Sequence, residues 1–326
     1  MKRFLLIWIL ILTFLLTAGC DTNGGHAEHP SENGGTRLEE DGSQSVGGDE
    51  NSSGKTDDEP EEEKLPPSAD AQEDAQNQLQ TFLEARPSYQ LGVNAYLEGD
   101  VQVHLFFIDD NESQWDEKTI EEFTQKQISL GFDFLESEAE RYGQSLDFSI
   151  KSYATVFDEG LDVTYDGIIE KGVGGAHSLD LHKWAARLLG YRNEAELYDD
   201  LLRKTDCQEV ILLFAVNKDG VSYAWHQVEG SIYYPTVEFA TIFTNYLGKN
   251  FTFDDITYPA AALAHEILHL YGAEDLYTPN ELKQMIKDIY PRDIMLLDYV
   301  NIEEMNVGEY IAYAIGWLNR APTVPK

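Results

Sequence analysis

From about Gln90 onward, apolar and polar positions alternate with changing period, and each change marks an element. Residues 101–108 (VQVHLFFI) are apolar at almost every position and stop at Asp109-Asp110-Asn111, which predicts a buried strand in which His104 is a polar residue of one face, not a ligand. Residues 115–142 place Ile120, Phe123, Ile128, Phe132 and Leu135 at helical spacing, stopped near Gly143, so a long amphipathic helix follows. Residues 146–157 alternate as a second strand. A glycine-rich loop comes next (168–175), then two short helices at 181–189 and 194–202. His177 and His182 are five apart there, the wrong spacing for one helix face. Val210–Val216 is a continuous apolar run, which predicts a strand buried on both faces. Asn217-Lys218-Asp219-Gly220 reads as a turn, 221–225 as the returning strand and 237–244 as another. A helix beginning near Thr257 and Pro259 is followed by a helix at 281–288 and a last one near 308–318, striped by Ile311, Ala314, Ile315 and Leu318. The order is strand, long helix, strand, helices, three strands, helix. It predicts an α+β fold with an α/β-like upper lobe and a smaller, mainly helical C-terminal lobe.

The first 80 residues have a different character. Met1-Lys2-Arg3 precedes an apolar run from Phe4 to Leu16, and Thr17-Ala18-Gly19-Cys20 closes it. A short basic start, an apolar core of this length and small residues form a secretory signal, not a membrane span. The ending resembles a bacterial lipoprotein signal, which implies lipidation of Cys20 and anchoring at the outer face of the bacterial cell membrane. Residues 21–80 hold 17 Asp/Glu against three Lys/Arg and almost no apolar side chains. Such a stretch cannot bury enough surface to offset its ordering entropy, so it reads as a tether. The expected division is a signal at 1–19, lipidated Cys20 with an acidic tether to residue 80, and one domain at 81–326. The formal net charge of −36 disfavours nucleic acid and anionic headgroups as partners. With Cys20 lipidated, Cys207 is alone and no structural disulfide is expected.

The chemistry concentrates in His265-Glu266-Ile267-Leu268-His269-Leu270-Tyr271-Gly272-Ala273-Glu274-Asp275. Residues four apart lie above one another on a helix, so His265 and His269 can offer two imidazoles to one cation. Glu266 is rotated about 100° around the axis, where it can act as a general base without being a ligand. Gly272 can end the helix in a left-handed conformation, and the chain can then return Asp275 to the same metal. Ala260–Ala264, Ile267, Leu268 and Leu270 make the helix apolar nearly all round. Buried, its histidines and glutamate need partners, and a metal supplies them.

This HExxHxxGxxD segment resembles the zinc signature of the metzincin metallopeptidases, in the Asp form of the snapalysin-like branch; Asp275-Leu276-Tyr277 is similar to the immune-inhibitor-type secreted peptidases. The resemblance implies a metzincin-like fold, one catalytic Zn2+ with His265, His269 and Asp275 as ligands, Glu266 as general base, and a methionine turn at Met295 in Asp293-Ile294-Met295. It implies an edge strand that pairs with an extended peptide, for which residues 222–225 are a candidate. Where some metzincins carry a tyrosine two residues after the turn methionine, this chain has Leu297, with Tyr299 two further on. The expected function is a membrane-anchored, extracytoplasmic zinc endopeptidase, a monomer acting on peptide or protein substrates. Two alternatives fit the same residues: a non-catalytic zinc-containing surface lipoprotein, and a zinc hydrolase of other amides. Glu281 and Glu303 do not fit the spacing of a downstream third ligand.

Overall fold

A computed structural model describes residues 69–84, 92–157, 160–173, 176–226, 237–246, 257–277, 281–297 and 301–324. The signal, Cys20 and most of the tether lie outside the described residues. Five strands form one sheet in the order β2-β1-β3-β5-β4. They are β1 (Gly99–Ile108), β2 (Leu146–Tyr153), β3 (Glu209–Asp219), β4 (Tyr223–Trp225) and β5 (Phe239–Asn245). The first four positions in that order are parallel, and β4 alone runs antiparallel, against β5. The architecture is the expected α+β class, with a mostly parallel sheet.

The alternation along the strands divides the apolar residues between two cores. Val103, Leu105 and Phe107 of β1, with Ile211, Leu213 and Ala215 of β3, face the larger one. Phe106, Ile108, Leu212, Phe214 and Val216 face the smaller. This is the period of two that a strand imposes, and it explains why 210–216 must be apolar throughout. His104 falls on the smaller core's side, where Nδ1 lies 2.8 Å from the Tyr153 hydroxyl and Nε2 3.0 Å from Gln102 Oε1. It is a satisfied core histidine, as expected.

The smaller core is closed by α4 (Leu181–Leu188) and α5 (Glu194–Lys204). The larger core is covered by α2 (Glu117–Phe123), α3 (Ser129–Arg141), α6 (Tyr258–Leu270) and the C-terminal elements α7 (Glu281–Ile289) and α8 (Glu309–Ala314). Between α2 and α3 the expected long helix carries a π turn at Thr124–Ile128. Within this turn Gln127 is fully buried and its Oε1 accepts from the Ala260 N–H at 3.1 Å. An orphan donor in the first turn of α6 is thereby satisfied.

Three elements depart from the sequence reading. Residues 217–219 continue β3 instead of turning, and β4 does not return beside β3: β5 lies between them. β2 ends at Tyr153, and its outer residues are largely exposed, as befits an edge. Lastly, a helix not foreseen, α1 (Ala69–Glu84), spans the end of the stretch read as tether, which was expected to run to residue 80, and the start of the domain. Leu79 and Leu83 are buried in the larger core, and Gln80 bonds the Pro322 carbonyl and the Val324 N–H, clipping α1 to the C-terminal segment.

Candidate metal centre

Helix α6 carries His265, Glu266 and His269, all in its second half. Its end is built as the glycine predicted. Gly272 has φ +97°. Its N–H bonds the His269 carbonyl at 3.0 Å, and the Ala273 N–H reaches back to the Leu268 carbonyl at 3.0 Å. This paired closure, requiring a left-handed residue, reverses the chain within one turn. The reversal brings Asp275 under the two histidines. Asp275 Oδ1 lies 3.2 Å from His265 Nε2 and 3.1 Å from His269 Nε2, and the two Nε2 atoms are 3.0 Å apart.

Both rings are oriented from behind. His265 Nδ1 is 3.2 Å from the Ile294 carbonyl, and His269 Nδ1 is 2.7 Å from the Ala273 carbonyl. A carbonyl only accepts, so each Nδ1 is the protonated nitrogen and each Nε2 presents a lone pair. Two nitrogen lone pairs and a carboxylate oxygen therefore face one point. Such a triangle is repulsive unless a cation sits at its centre. Tetrahedral zinc with bonds of about 2.0–2.1 Å sets its ligand atoms about 3.3 Å apart, close to the spacing here. The donor set fits a metal ion, and the backbone carbonyls behind each imidazole are the outer partners such a site requires.

Glu266 belongs to the same cluster with His265 and His269 and is almost fully buried. Burial, the largest influence, pushes its carboxyl up to about 8, and the nearby Ala224 backbone N–H on β4 acts weakly against this. Among the described residues β4 is the sheet's edge, as expected for 222–225, and its Ala224 lies near Glu266. Glu274 points away, toward Lys283 at 3.8 Å. Glu303 bonds Thr257 at 3.2 Å, at the opposite end of α6, and is no third ligand.

Beneath the histidines runs a single 3₁₀ turn, Ile294–Leu296, with Met295 fully buried. Asp293 holds it: Oδ1 accepts from the Met295 N–H and Oδ2 from the Gly308 N–H, each at 2.8 Å. The Leu276 N–H in turn bonds the Met295 carbonyl at 3.0 Å, tying this turn to the segment that carries Asp275. Leu297 closes the turn at φ 48°; Tyr299 lies outside the described residues.

Comparison with known proteins adds little. No family model matches the chain, and no curated protein does. Among solved structures, metalloproteinase-II from Bacteroides fragilis aligns at 14% identity and TM-score 0.32. The alignment covers 73% of this chain, which spans 60% of the length of that one. At that level the match carries no argument, so the reading rests on the residues themselves.

Two site residues went unnoticed in the sequence. The Tyr277 ring lies beside His265, centroids 6.3 Å apart, and its phenol is near Asp275. Burial pushes its pKa up, with the Asp275 charge acting the same way. The tyrosine at this centre thus comes from the segment after Gly272, a position the DLY triplet could have signalled. The second is His226, whose ring stacks on His269 with centroids 5.8 Å apart and planes 7° from parallel. Burial pushes its imidazole down to about 4; His269 adds to this and Asp275 opposes it. Nothing in the sequence marked it, since it lies 39 positions before the motif, immediately after the short strand β4. His177 and His182 lie elsewhere: the first packs at a tilt against Tyr223 and the second stacks on Phe239.

Proposed function

We propose that this chain is a zinc-dependent endopeptidase, anchored by lipid on Cys20 at the outer face of a bacterial membrane. The observation that supports it most is the convergence of His265 Nε2, His269 Nε2 and Asp275 Oδ1 within 3.0–3.2 Å, with the buried Glu266 carboxyl beside them under an open sheet edge. His265, His269 and Asp275 would hold the metal. When bound, zinc supplies Lewis acidity, polarising the scissile carbonyl and acidifying water.

The chain's own residues supply the rest. Glu266 takes the proton from the attacking water and returns it to the leaving amine. A carboxyl lifted toward neutrality by burial suits both halves of that shuttle, because it binds the proton firmly yet releases it. β4 has no partner beyond β5 among the described residues, so its outer edge can take an extended peptide as a further strand. That favours peptides over other amides.

The test is elemental analysis of the purified protein beside cleavage of a mixed peptide library. Wild type should hold about one zinc and cleave. Glu266→Gln keeps the shape but not the base; it should retain zinc and lose about 10²–10⁴-fold in rate. Full activity in Glu266→Gln would overturn the mechanism, and zinc without any cleavage by wild type would favour the non-catalytic lipoprotein.

A further inference from the structure

We infer that Asp293 is a positioning residue of the metal centre: by gripping the Met295 N–H it fixes the peptide plane whose carbonyl holds His265 toward the metal. The inference rests on the metal binding proposed above and names a residue that controls it.

The two bonds concerned belong to one peptide group. The amide between Ile294 and Met295 carries the Ile294 carbonyl on one side and the Met295 N–H on the other. A planar trans peptide points these in opposite directions. Asp293 Oδ1 accepts from that N–H at 2.8 Å, and His265 Nδ1 lies 3.2 Å from that carbonyl oxygen. Rotation of the plane would break both bonds together. The next carbonyl, that of Met295, accepts from the Leu276 N–H at 3.0 Å, one residue from Asp275. One side-chain oxygen thus governs the approach of two of the three donors.

The carboxyl is itself anchored. Asp293 is buried, and Oδ2 accepts from the Gly308 N–H at 2.8 Å. A Cβ at Gly308 would collide with that oxygen, so this approach of the backbone needs glycine. Val307, one residue before, is clamped to α3. Its N–H donates to Glu138 Oε2 at 2.7 Å, and its carbonyl accepts from the Tyr142 hydroxyl at 2.7 Å and from Arg141. A run of hydrogen bonds therefore reaches from α3 to His265. His269 is served locally, by the Ala273 carbonyl just past its own helix, 2.7 Å from Nδ1.

The simpler role would be that of a cap on a buried turn. The turn has its own closure, however: the Leu296 N–H bonds the Asp293 carbonyl at 3.0 Å and the Leu297 N–H the Ile294 carbonyl at 3.1 Å. A cap would show in stability alone, a positioning residue in metal affinity, and the two are separable. Asp293→Asn keeps an oxygen for the N–H two residues on, as asparagine does in turns, and gives up the Gly308 bond. Asp293→Ala loses both.

The full-length variants are compared for zinc affinity, by competition with a chromophoric chelator, and for thermal midpoint without zinc. Leu197→Ala, fully buried in the smaller core, is the control for lost stability. Asp293→Ala should bind zinc about 10–100-fold more weakly, the usual cost of losing an outer partner of a metal ligand. Asp293→Asn and Leu197→Ala should melt earlier yet stay within about threefold of wild type in affinity. The inference is overturned if Asp293→Ala binds zinc as tightly as Leu197→Ala, or if Asp293→Asn loses as much as Asp293→Ala. A measurement on wild type covers the case in which Asp293→Ala does not fold. With 15N-methionine, the Met295 amide is assigned by Met295→Leu and followed as zinc is added. A metal on His265 makes Nδ1–H a stronger donor to the Ile294 carbonyl, which polarises the peptide and strengthens the Met295 N–H bond. That signal should move downfield and exchange more slowly, and an unmoved signal overturns the inference. Zinc affinity is read without substrate, so failure to cleave peptides would sink the peptidase reading and leave the role of Asp293 standing. Wild type holding no zinc would sink both.

Discussion

At the scale of single residues, the centre is decided by which oxygen reaches the two imidazoles. Asp275 does and Glu274 does not, although they are adjacent, because the left-handed turn at Gly272 rotates one in and the other toward Lys283. Asp275→Ala should therefore weaken zinc binding, read by competition with a chromophoric chelator, while Glu274→Ala should leave it within about twofold. If Glu274 proves to be the one needed, the turn is misread by one residue. Asp293 gives a second prediction. Burial pushes its carboxyl from 3.8 up to about 7, against the Met295 and Gly308 N–H bonds that lower it. The folded state then binds this proton more tightly than the unfolded chain does. Its contribution is fully present below pH 3.8 and is lost as pH rises through about 7. Urea midpoints should fall across that window, and Asp293→Asn should flatten the fall. It should also destabilise at all pH values by about 1–3 kcal/mol, because one N–H then faces an amide NH2. An unchanged slope in the variant would show that Asp293 stays ionised.

At the scale of elements, the position of α6 rests on close packing with α3. A Cβ added at Gly131 would lie 2.8 Å from Leu263 Cδ2 and 2.9 Å from the Ala260 carbonyl oxygen. The carbonyl belongs to helix backbone and cannot swing aside. Gly131→Ala gains up to about 1 kcal/mol of helix propensity, but the forced separation costs about 1–3 kcal/mol, so net destabilisation is expected in equilibrium unfolding. Zinc affinity should fall with it, because displacement of α6 carries His265 away from the Ile294 carbonyl that orients it. Stabilisation by Gly131→Ala would mean that the helices can part without cost. The π turn at Thr124–Ile128 serves the same helix from its other end, placing Gln127 on the Ala260 N–H.

At the scale of the whole molecule, the sheet separates a small core under α4 and α5 from a larger one that runs from α1 to α8 and contains the metal centre's supports. Among the described residues no helix is long and apolar enough to cross a membrane. Attachment, if the lipoprotein reading holds, depends on Cys20. Cys20→Ser should release the protein into the medium or leave it unprocessed, as followed by fractionation and immunoblot, since lipid chains provide the anchoring. A variant that is cleaved at its signal and still stays with the membrane would sink that reading. Cys207 is a free thiol in the structure, so no disulfide through it ties the described residues together and their packing must do so.

The sequence by itself determined whatever is local. His265, Glu266 and His269 share one helix, and helical geometry alone sets their relation. Gly272 announced its left-handed turn because no other residue adopts that conformation as cheaply. The apolar run at 210–216 announced a strand covered on both sides. What only the tertiary structure decided is pairing between distant segments. The insertion of β5 between β3 and β4 follows from the register of 212–219 with 239–245, which no local pattern encodes. α1 stayed hidden because its first turns are polar and only Leu79, Phe82 and Leu83 near its end make a stripe, legible once α7 and α8 are there to receive it. His226 was hidden for the same reason: its neighbours in the chain say nothing about His269, and it meets that residue only because the edge strand is folded over the helix.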